Sequence, residues 1–227
     1  MNTDVSDNLN QHSKQKPESK PAYRNTAVTI RGAQPEYKGP IAELMYSSGA
    51  DMYDYVYKTD QAHPLDYIRS EFKSKRGLCS HRLLTVAVSD GNVVGTGTFY
   101  DGKDYQKMSG GAALNLLRFY GFKSLPRLRR AMDSMKLMKP PKDDELYLAN
   151  FGVDPQLRGS GIGSQMLQHK INEARQQGYR IVSLDVSTEN PKAEALYHRL
   201  GFAVTDSKSM TGRDGHTYAC KKMEYFL

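Results

Sequence analysis

Residues Val153 to Gln168 read VDPQLRGSGIGSQMLQ. Three glycines, Gly159, Gly161 and Gly163, follow Arg158. They separate a strand-like run, Leu146 to Val153, from Ile162, Met166, Leu167 and Ile171 at helical spacing. A strand that enters a glycine turn and leaves as a helix is suited to an anion. Backbone N–H groups converge there, no Cβ keeps a ligand away, and the helix dipole favours negative charge. A triphosphate loop needs GxxxxGK[ST], and no Lys follows Gly163. A dinucleotide fingerprint needs GxGxxG near the start of its domain. Here the third spacing differs and the motif comes late, although Asp185 stands about where a ribose-binding acid would. A ligand-free strand-to-helix turn is the remaining alternative, and it has no use for so many glycines beside an arginine.

Working outward, Arg180 to Ser187 predicts a second strand. Leu146–Val153, helix 162–177 and this strand then form a βαβ unit with parallel strands. Asn190 to Leu200 predicts a helix with Pro191 in its first turn and Gly201 after its end. Phe202–Thr205 and Thr217–Phe226 read as closing strands. Upstream, Ala27–Ile30 reads as a strand, a helical region follows, and Ser48-Gly49-Ala50 interrupts it. His63-Pro64 opens a further helix. Arg82–Ser89 and Val93–Tyr100 flank the hairpin turn Asp90-Gly91-Asn92. Residues 1–24 are polar and poor in apolar side chains, which predicts a disordered tail before a domain spanning 25–227.

Two stretches then converge. Gln156-Leu-Arg158-Gly159-Ser160-Gly161-Ile162-Gly163 resembles the acetyl-CoA signature of the GNAT acyltransferases, Arg/Gln-x-x-Gly-x-Gly/Ala. Val153-Asp-Pro155 before it is similar to that family too. So is Asn190-Pro-x-Ala193-x-x-Leu196-Tyr197-x-x-x-Gly201-Phe202, in the family's order and spacing. The resemblance covers residues 145–205, and the strand order extends it back to about residue 27. It implies an α/β GNAT fold, a mixed central sheet of about six to seven strands flanked by helices, with a helical insert between strands 3 and 4. It also implies acetyl-CoA as co-substrate and an amine acceptor.

The resemblance assigns roles residue by residue. Phe151, Gly152 and Val153 would pair with the pantetheine arm. Gln156 and the turn Arg158, Gly159, Ser160, Gly161, Ile162, Gly163 and Ser164 would hold the pyrophosphate on backbone amides, which makes a lysine redundant. Asn190 would contact the cofactor arm, cap its helix, or do both. Tyr197 would protonate the leaving thiolate, since a phenol of pKa about 10 stays protonated at neutral pH. Asp185 would be the base, as an acid at this place is in members similar to the N-terminal acetyltransferases of ribosomal proteins, where it is usually Glu. Histone-type members use a Glu near the start of the first parallel strand, and Glu145 lies beside that position. A hydrogen-bonded strand acid is the alternative for Asp185.

On the acceptor side, Asp51, Tyr53, Asp54 and Tyr55 offer carboxylates and aromatic faces that suit a cationic amine. A polyamine-like molecule, a peptide N-terminus, a protein lysine and an aminoglycoside-like antibiotic all fit that description.

Composition narrows the setting. Between Lys103 and Lys142 stand ten Lys or Arg against two Asp or Glu, a local net of +8 in a chain of net +7. The basic character belongs to that insert alone, which argues against a nucleic-acid-binding scaffold. Within it, helices over 110–121 and 125–138 are predicted. Leu114, Leu117, Leu125, Leu128, Met132 and Met135 should face the body, and Arg127, Arg129 and Arg130 should face out. A lid, a dimer contact, a solvated basic face and a membrane-surface helix are the readings of this insert. A non-catalytic CoA-binding protein, or a nucleic-acid or partner-binding protein acting through the insert, is the rival to the enzyme. No apolar run reaches the roughly 20 residues of a bilayer span, and no secretory h-region opens the chain. Cys79 and Cys220 have no metal-ligand spacing. The expectation is a cytoplasmic monomer or homodimer with no metal and no membrane partner.

Overall fold

The computed structural model describes residues 28–37 and 39–227. The tail expected over 1–24, and Ala27 of the first strand, lie outside them. A seven-stranded sheet has the order β1-β2-β3-β4-β5-β7-β6. The strands are β1 (Thr29–Gly32), β2 (Leu84–Ser89), β3 (Asn92–Tyr100), β4 (Glu145–Val153), β5 (Ile181–Ser187), β6 (Ala203–Thr211) and β7 (Thr217–Phe226). All neighbours are antiparallel except β4 and β5, which the crossover helix α6 (Ile162–Gln176) joins in parallel. Asp90 and Gly91 both have positive φ, as a tight turn between β2 and β3 requires.

Period-two burial sets the two faces. Leu84, Val86 and Val88 of β2 pack with α1 (Ile41–Ser47) and α3 (Pro64–Phe72). Ala87 points the other way, onto Ile162 and Met166 of α6. On β5, Val182, Leu184 and Val186 pack with α6 and with Tyr197 of α7 (Pro191–Arg199). Ser183 and Asp185 therefore face the side of the sheet that carries α1, α2 (Ala50–Tyr57) and α3.

Between β3 and β4 stand α4 (Gly102–Tyr120) and α5 (Ser124–Ser134). The first begins at Gly102 rather than near 110, capped by Asp101, whose carboxylate accepts from the amide of Asp104 at 2.8 Å. Gly111 sits inside it because α4 crosses the backbone of Arg76, where a Cβ would lie 3.1 Å from the Arg76 carbonyl carbon.

The orientation of α5 departs from the expected one at two of its arginines, while Leu128, Met132 and Met135 line a cavity on the body side. Arg127 and Arg130 face inward. They donate to the carbonyls of Lys58 (3.1 Å) and Tyr55 (2.8 Å), and Tyr120 Oη donates to the carbonyl of Tyr57 at 2.8 Å. These carbonyls end α2, where a helix has no internal partners and its dipole attracts cations. Asp133 also pairs with Arg213 at 2.6 Å, tying α5 to the β6–β7 hairpin. Leu114, Leu117, Leu125, Leu128, Met132 and Met135 are left with 37% to 61% of their surface exposed. Arg129 does face out.

We expect Arg130→Ala to lower stability in chemical denaturation by about 1–3 kcal/mol, the cost of a lost charged hydrogen bond and an orphaned carbonyl. Met132→Ala, two residues on and on the other side of α5, should change it by no more than about 0.5 kcal/mol.

Candidate functional site

β4 and β5 pair only from Glu145 with Ile181 to Leu148 with Leu184, although β4 runs on to Val153 and β5 to Ser187. A bulge parts them. Thr96 pairs with Gly152 and Thr98 with Ala149, so Asn150 and Phe151 stand opposite Gly97 alone. Asn150 has φ 52°, a left-handed value that Asn tolerates better than most residues. Its Nδ2 donates to Thr98 Oγ1 at 3.1 Å, and its Oδ1 accepts from Tyr53 Oη at 2.7 Å. Beyond the bulge, Phe151, Gly152 and Val153 have no β5 partner on that side. That edge is open to an extended chain.

The glycine turn lies at the end of this open edge. Asp154 caps the 155–157 turn through the amide of Gln156 at 2.9 Å. Arg158 Nε holds the carbonyl of Val153 at 3.2 Å. Gly159 (φ 85°) and Gly161 (φ 89°) adopt conformations that side chains resist. Gly161 is the N-cap of α6 and no side chain caps it, so the first amides of α6 are left for a ligand. At Gly163 a Cβ would lie 3.5 Å from Leu196 and Phe151, an ordinary contact distance against α7. Ile162 is buried in the core and contributes to the turn only through its backbone. Ser160 spends its hydroxyl on Leu157 O at 2.6 Å, while Gln156 is exposed and Ser164 half-buried. A row of amides with an exposed arginine suits an anionic phosphate arm.

A cavity of about 410 Å³ passes through the gap between β4 and β5. On one face of the sheet it is walled by Leu196 and Tyr197 of α7, on the other by Tyr147, Asp185 and α2. Tyr197 is buried against Phe151 and Phe202, and burial alone raises its pKa above the ordinary phenol value. Asn190 lines the cavity and also caps α7, accepting from the amide of Ala193 at 3.2 Å. Asp185 accepts from Tyr147 Oη at 2.9 Å and from Cys220 Sγ at 3.7 Å. Burial raises its pKa against the opposing effect of those donors and of Lys208.

Glu145 has a structural setting. It is buried, bonded to Ser183 and to Lys222 (2.9 Å), and held below the ordinary carboxylate range by those partners in spite of burial. It sits at the closed end of the β4–β5 pair, off the cavity wall.

Of the four acceptor candidates, only Tyr53 lines the cavity. Asp51 is exposed, Asp54 is engaged by Lys58 and Tyr46, and Tyr55 packs under α5 with its hydroxyl toward Asp133. The reason is the turn of α2. Met52, Tyr53, Val56 and Tyr57 share its inner face, and the two aspartates fall on the other. The sequence reading missed Tyr147 and Asn150 as parts of the wall, while the body-facing Leu128, Met132 and Met135 of the insert do line it. An Asn within an otherwise apolar strand was the available signal for the bulge.

Among the described residues no cluster of three His, Cys, Asp or Glu is placed to hold a metal, and no helix is long and apolar enough to cross a membrane. Cys79 and Cys220 are free and buried.

The model of the acetyltransferase (GNAT) family matches residues 48–202, more than half of the chain. The [ribosomal protein bS18]-alanine N-acetyltransferase of Escherichia coli K12 is 41% identical over 59 residues, 26% of this chain and 40% of that protein. Mycothiol acetyltransferase of Thermobifida fusca is 39% identical over 69 residues, 30% of this chain and 21% of that protein. The chain thus spans well under half the length of these curated relatives. An N-acetyltransferase structure from Staphylococcus aureus Mu50 superposes with TM-score 0.65 at 22% identity, over 87% of this chain and 100% of that one. A crystal structure described as an acetyltransferase gives 0.63 at 24%, over 88% and 99%. These two share the fold.

We expect Asn150→Ala to cost about 1–3 kcal/mol in thermal or chemical unfolding. It removes the bulge's side-chain bonds and puts a residue without a local hydrogen bond at positive φ.

Proposed function

The chain belongs to the GNAT acetyltransferase family, and on that premise we propose that it moves an acetyl group from acetyl-CoA to a primary amine by direct transfer in a ternary complex. The observation that carries this reading is the cavity through the β4–β5 gap, with Tyr197 and Asp185 both on its wall.

Acetyl-CoA supplies an activated acyl carbon. The residues present fit its arm. The α6 amides and Arg158 take the pyrophosphate, the open edge of Phe151–Val153 pairs with the extended pantetheine, and Asn190 borders its path. The amine nitrogen must attack neutral, so Asp185 removes a proton, directly or through one water. As the nitrogen–carbon bond forms and the carbon–sulfur bond breaks, the nitrogen loses its second proton to solvent and Tyr197 gives its proton to the departing sulfur. Solvent then returns a proton to Tyr197 and takes one from Asp185. The sum is ammonium plus thioester to amide plus thiol plus one proton.

Thiol chemistry supports direct transfer. Cys79 lines the cavity, but burial first and Glu71 second push its pKa well up. Burial and Asp185 push Cys220 up to about 12. Neither is a thiolate at neutral pH, so neither offers an acyl-enzyme nucleophile. Two of the insert's ten cations, Arg127 and Arg130, are held against the carbonyls that end α2, which serves the fold rather than a partner.

The test is thiol release from acetyl-CoA with an amine acceptor. Tyr197→Phe should lose about 10²–10⁴-fold in kcat and keep acetyl-CoA affinity by calorimetry. Undiminished turnover would remove Tyr197 from the mechanism.

A base works only when deprotonated, so activity must rise with pH through the Asp185 pKa. Burial raises that pKa, so the acid limb of kcat/KM should lie above the ordinary Asp value of about 3.9. Asp185→Asn should abolish that limb. A limb unchanged in Asp185→Asn would assign it to another group.

A further inference from the structure

We infer that the acceptor is a monoamine with an apolar body, aromatic or aliphatic, held beneath the apolar side of α4 and α5 that roofs the cavity. This rests on the acetyltransferase reading and names its substrate class. Among the described residues that wall the cavity, Asp185 is the one carboxylate, and no Lys, Arg or His joins it. A single ammonium is therefore matched, and a second would enter with no partner.

The roof consists of Leu116, Leu128, Met132, Met135 and Met138. Leu128, Met132 and Met135 keep 37%, 61% and 40% of their surface exposed, since the helices are docked through their polar side. Large apolar side chains around a cavity are covered when an apolar body enters it. The floor repeats this character with Met52 and Val56.

Some hydroxyls of the wall are paired within it: Tyr53 Oη is given to Asn150, Tyr147 Oη to Asp185, and Tyr105 Oη to Met135 Sδ at 3.7 Å. Those of Tyr57 and Tyr100 have no hydrogen-bond partner among the described residues, so it is charge rather than hydroxyl content that disfavours a polycationic acceptor such as an aminoglycoside. Methionine on both roof and floor adapts to different shapes, so a range of apolar amines should fit.

The experiment compares hexylamine with hexamethylenediamine, which differ only in the second amine, and adds phenethylamine and kanamycin. Initial rates are read as kcat/KM at saturating acetyl-CoA, and binding of each amine to the CoA complex is read by calorimetry. Hexylamine and phenethylamine should exceed the diamine and kanamycin by roughly 10–100-fold. In Met132→Glu the ratio of diamine to hexylamine should rise at least about tenfold. The same ratio in Leu128→Asp guards against one variant failing to fold.

Equal or better use of the diamine or kanamycin overturns the inference and leaves the acetyltransferase intact. So does an unchanged ratio in an active roof variant. If the apolar amines bind saturably, bind more weakly to Met132→Glu, and yet none is acetylated, the cavity chemistry stands and the transfer reading falls. If the apolar amines neither bind nor react, the inference is overturned.

Discussion

A parallel strand pair that is prevented from closing governs this molecule. The alternative to the gap is three more ladder positions between β4 and β5, up to Ser187, which would bury the backbone groups now facing the cavity. Each such group left unpaired costs about 1–3 kcal/mol if it is dry. The bulge offsets part of that by giving Asn150 two side-chain bonds, one to β3 and one to α2. Because a bulge adds one residue to one strand, β4 turns away from β5 and regains its register with β3 at Gly152. The open edge, the passage through the sheet and the access of Tyr197 and Asp185 to one cavity from its two faces all follow from that insertion.

The orientation of α5 is decided by competition between two terms of similar size. Burying a Leu or Met is worth about 1.5–3 kcal/mol. Leaving a helix-terminal carbonyl dry and unpaired costs about 1–3 kcal/mol. Carbonyls of Tyr55, Tyr57 and Lys58 need donors where the insert lands, and Arg130, Tyr120 and Arg127 supply them. Docking through the apolar side would orphan all three. Cation–π contacts of Arg130 with Tyr55 and of Arg127 with Tyr120 add to the polar choice. The apolar side is thereby free to roof the cavity.

Much of this was legible in the chain. The βαβ unit around the glycine turn, the Asn190-Pro helix and the closing hairpin each carry local signals, in glycine position, capping and period. The cofactor-side residues followed from them because they are contiguous in sequence. The acceptor side was less legible because no contiguous motif encodes it. Helical periodicity over 125–135 shows that α5 has two sides and does not show which one docks, since the docking partners are α2 carbonyls that have no sequence signature. The aspartates of α2 looked apt by composition. Their places on the helix turn, away from Tyr53 and Val56, put them outside.

One feature of Asp185 links this cavity to its chemistry. The acid is shorter than the Glu usual at this place in the similar N-terminal acetyltransferases, and both of its oxygens already accept a hydrogen bond, from Tyr147 and Cys220. Each carboxylate oxygen has a second lone pair, so it remains able to take a proton while its orientation is fixed. The low-charge wall acts on both partners of that transfer. Desolvation raises the acid's pKa and lowers that of an ammonium entering beside it. In water a carboxylic acid near 3.9 and an alkylammonium near 10.4 are separated by about six units, so the proton stays on nitrogen. In an apolar cavity desolvation moves the two values toward each other, against the mutual attraction of the pair, which moves them apart. In the proposed transfer the same poverty of charge that would select a monoamine leaves no further ionised side chain among the described residues of the wall to shift that balance.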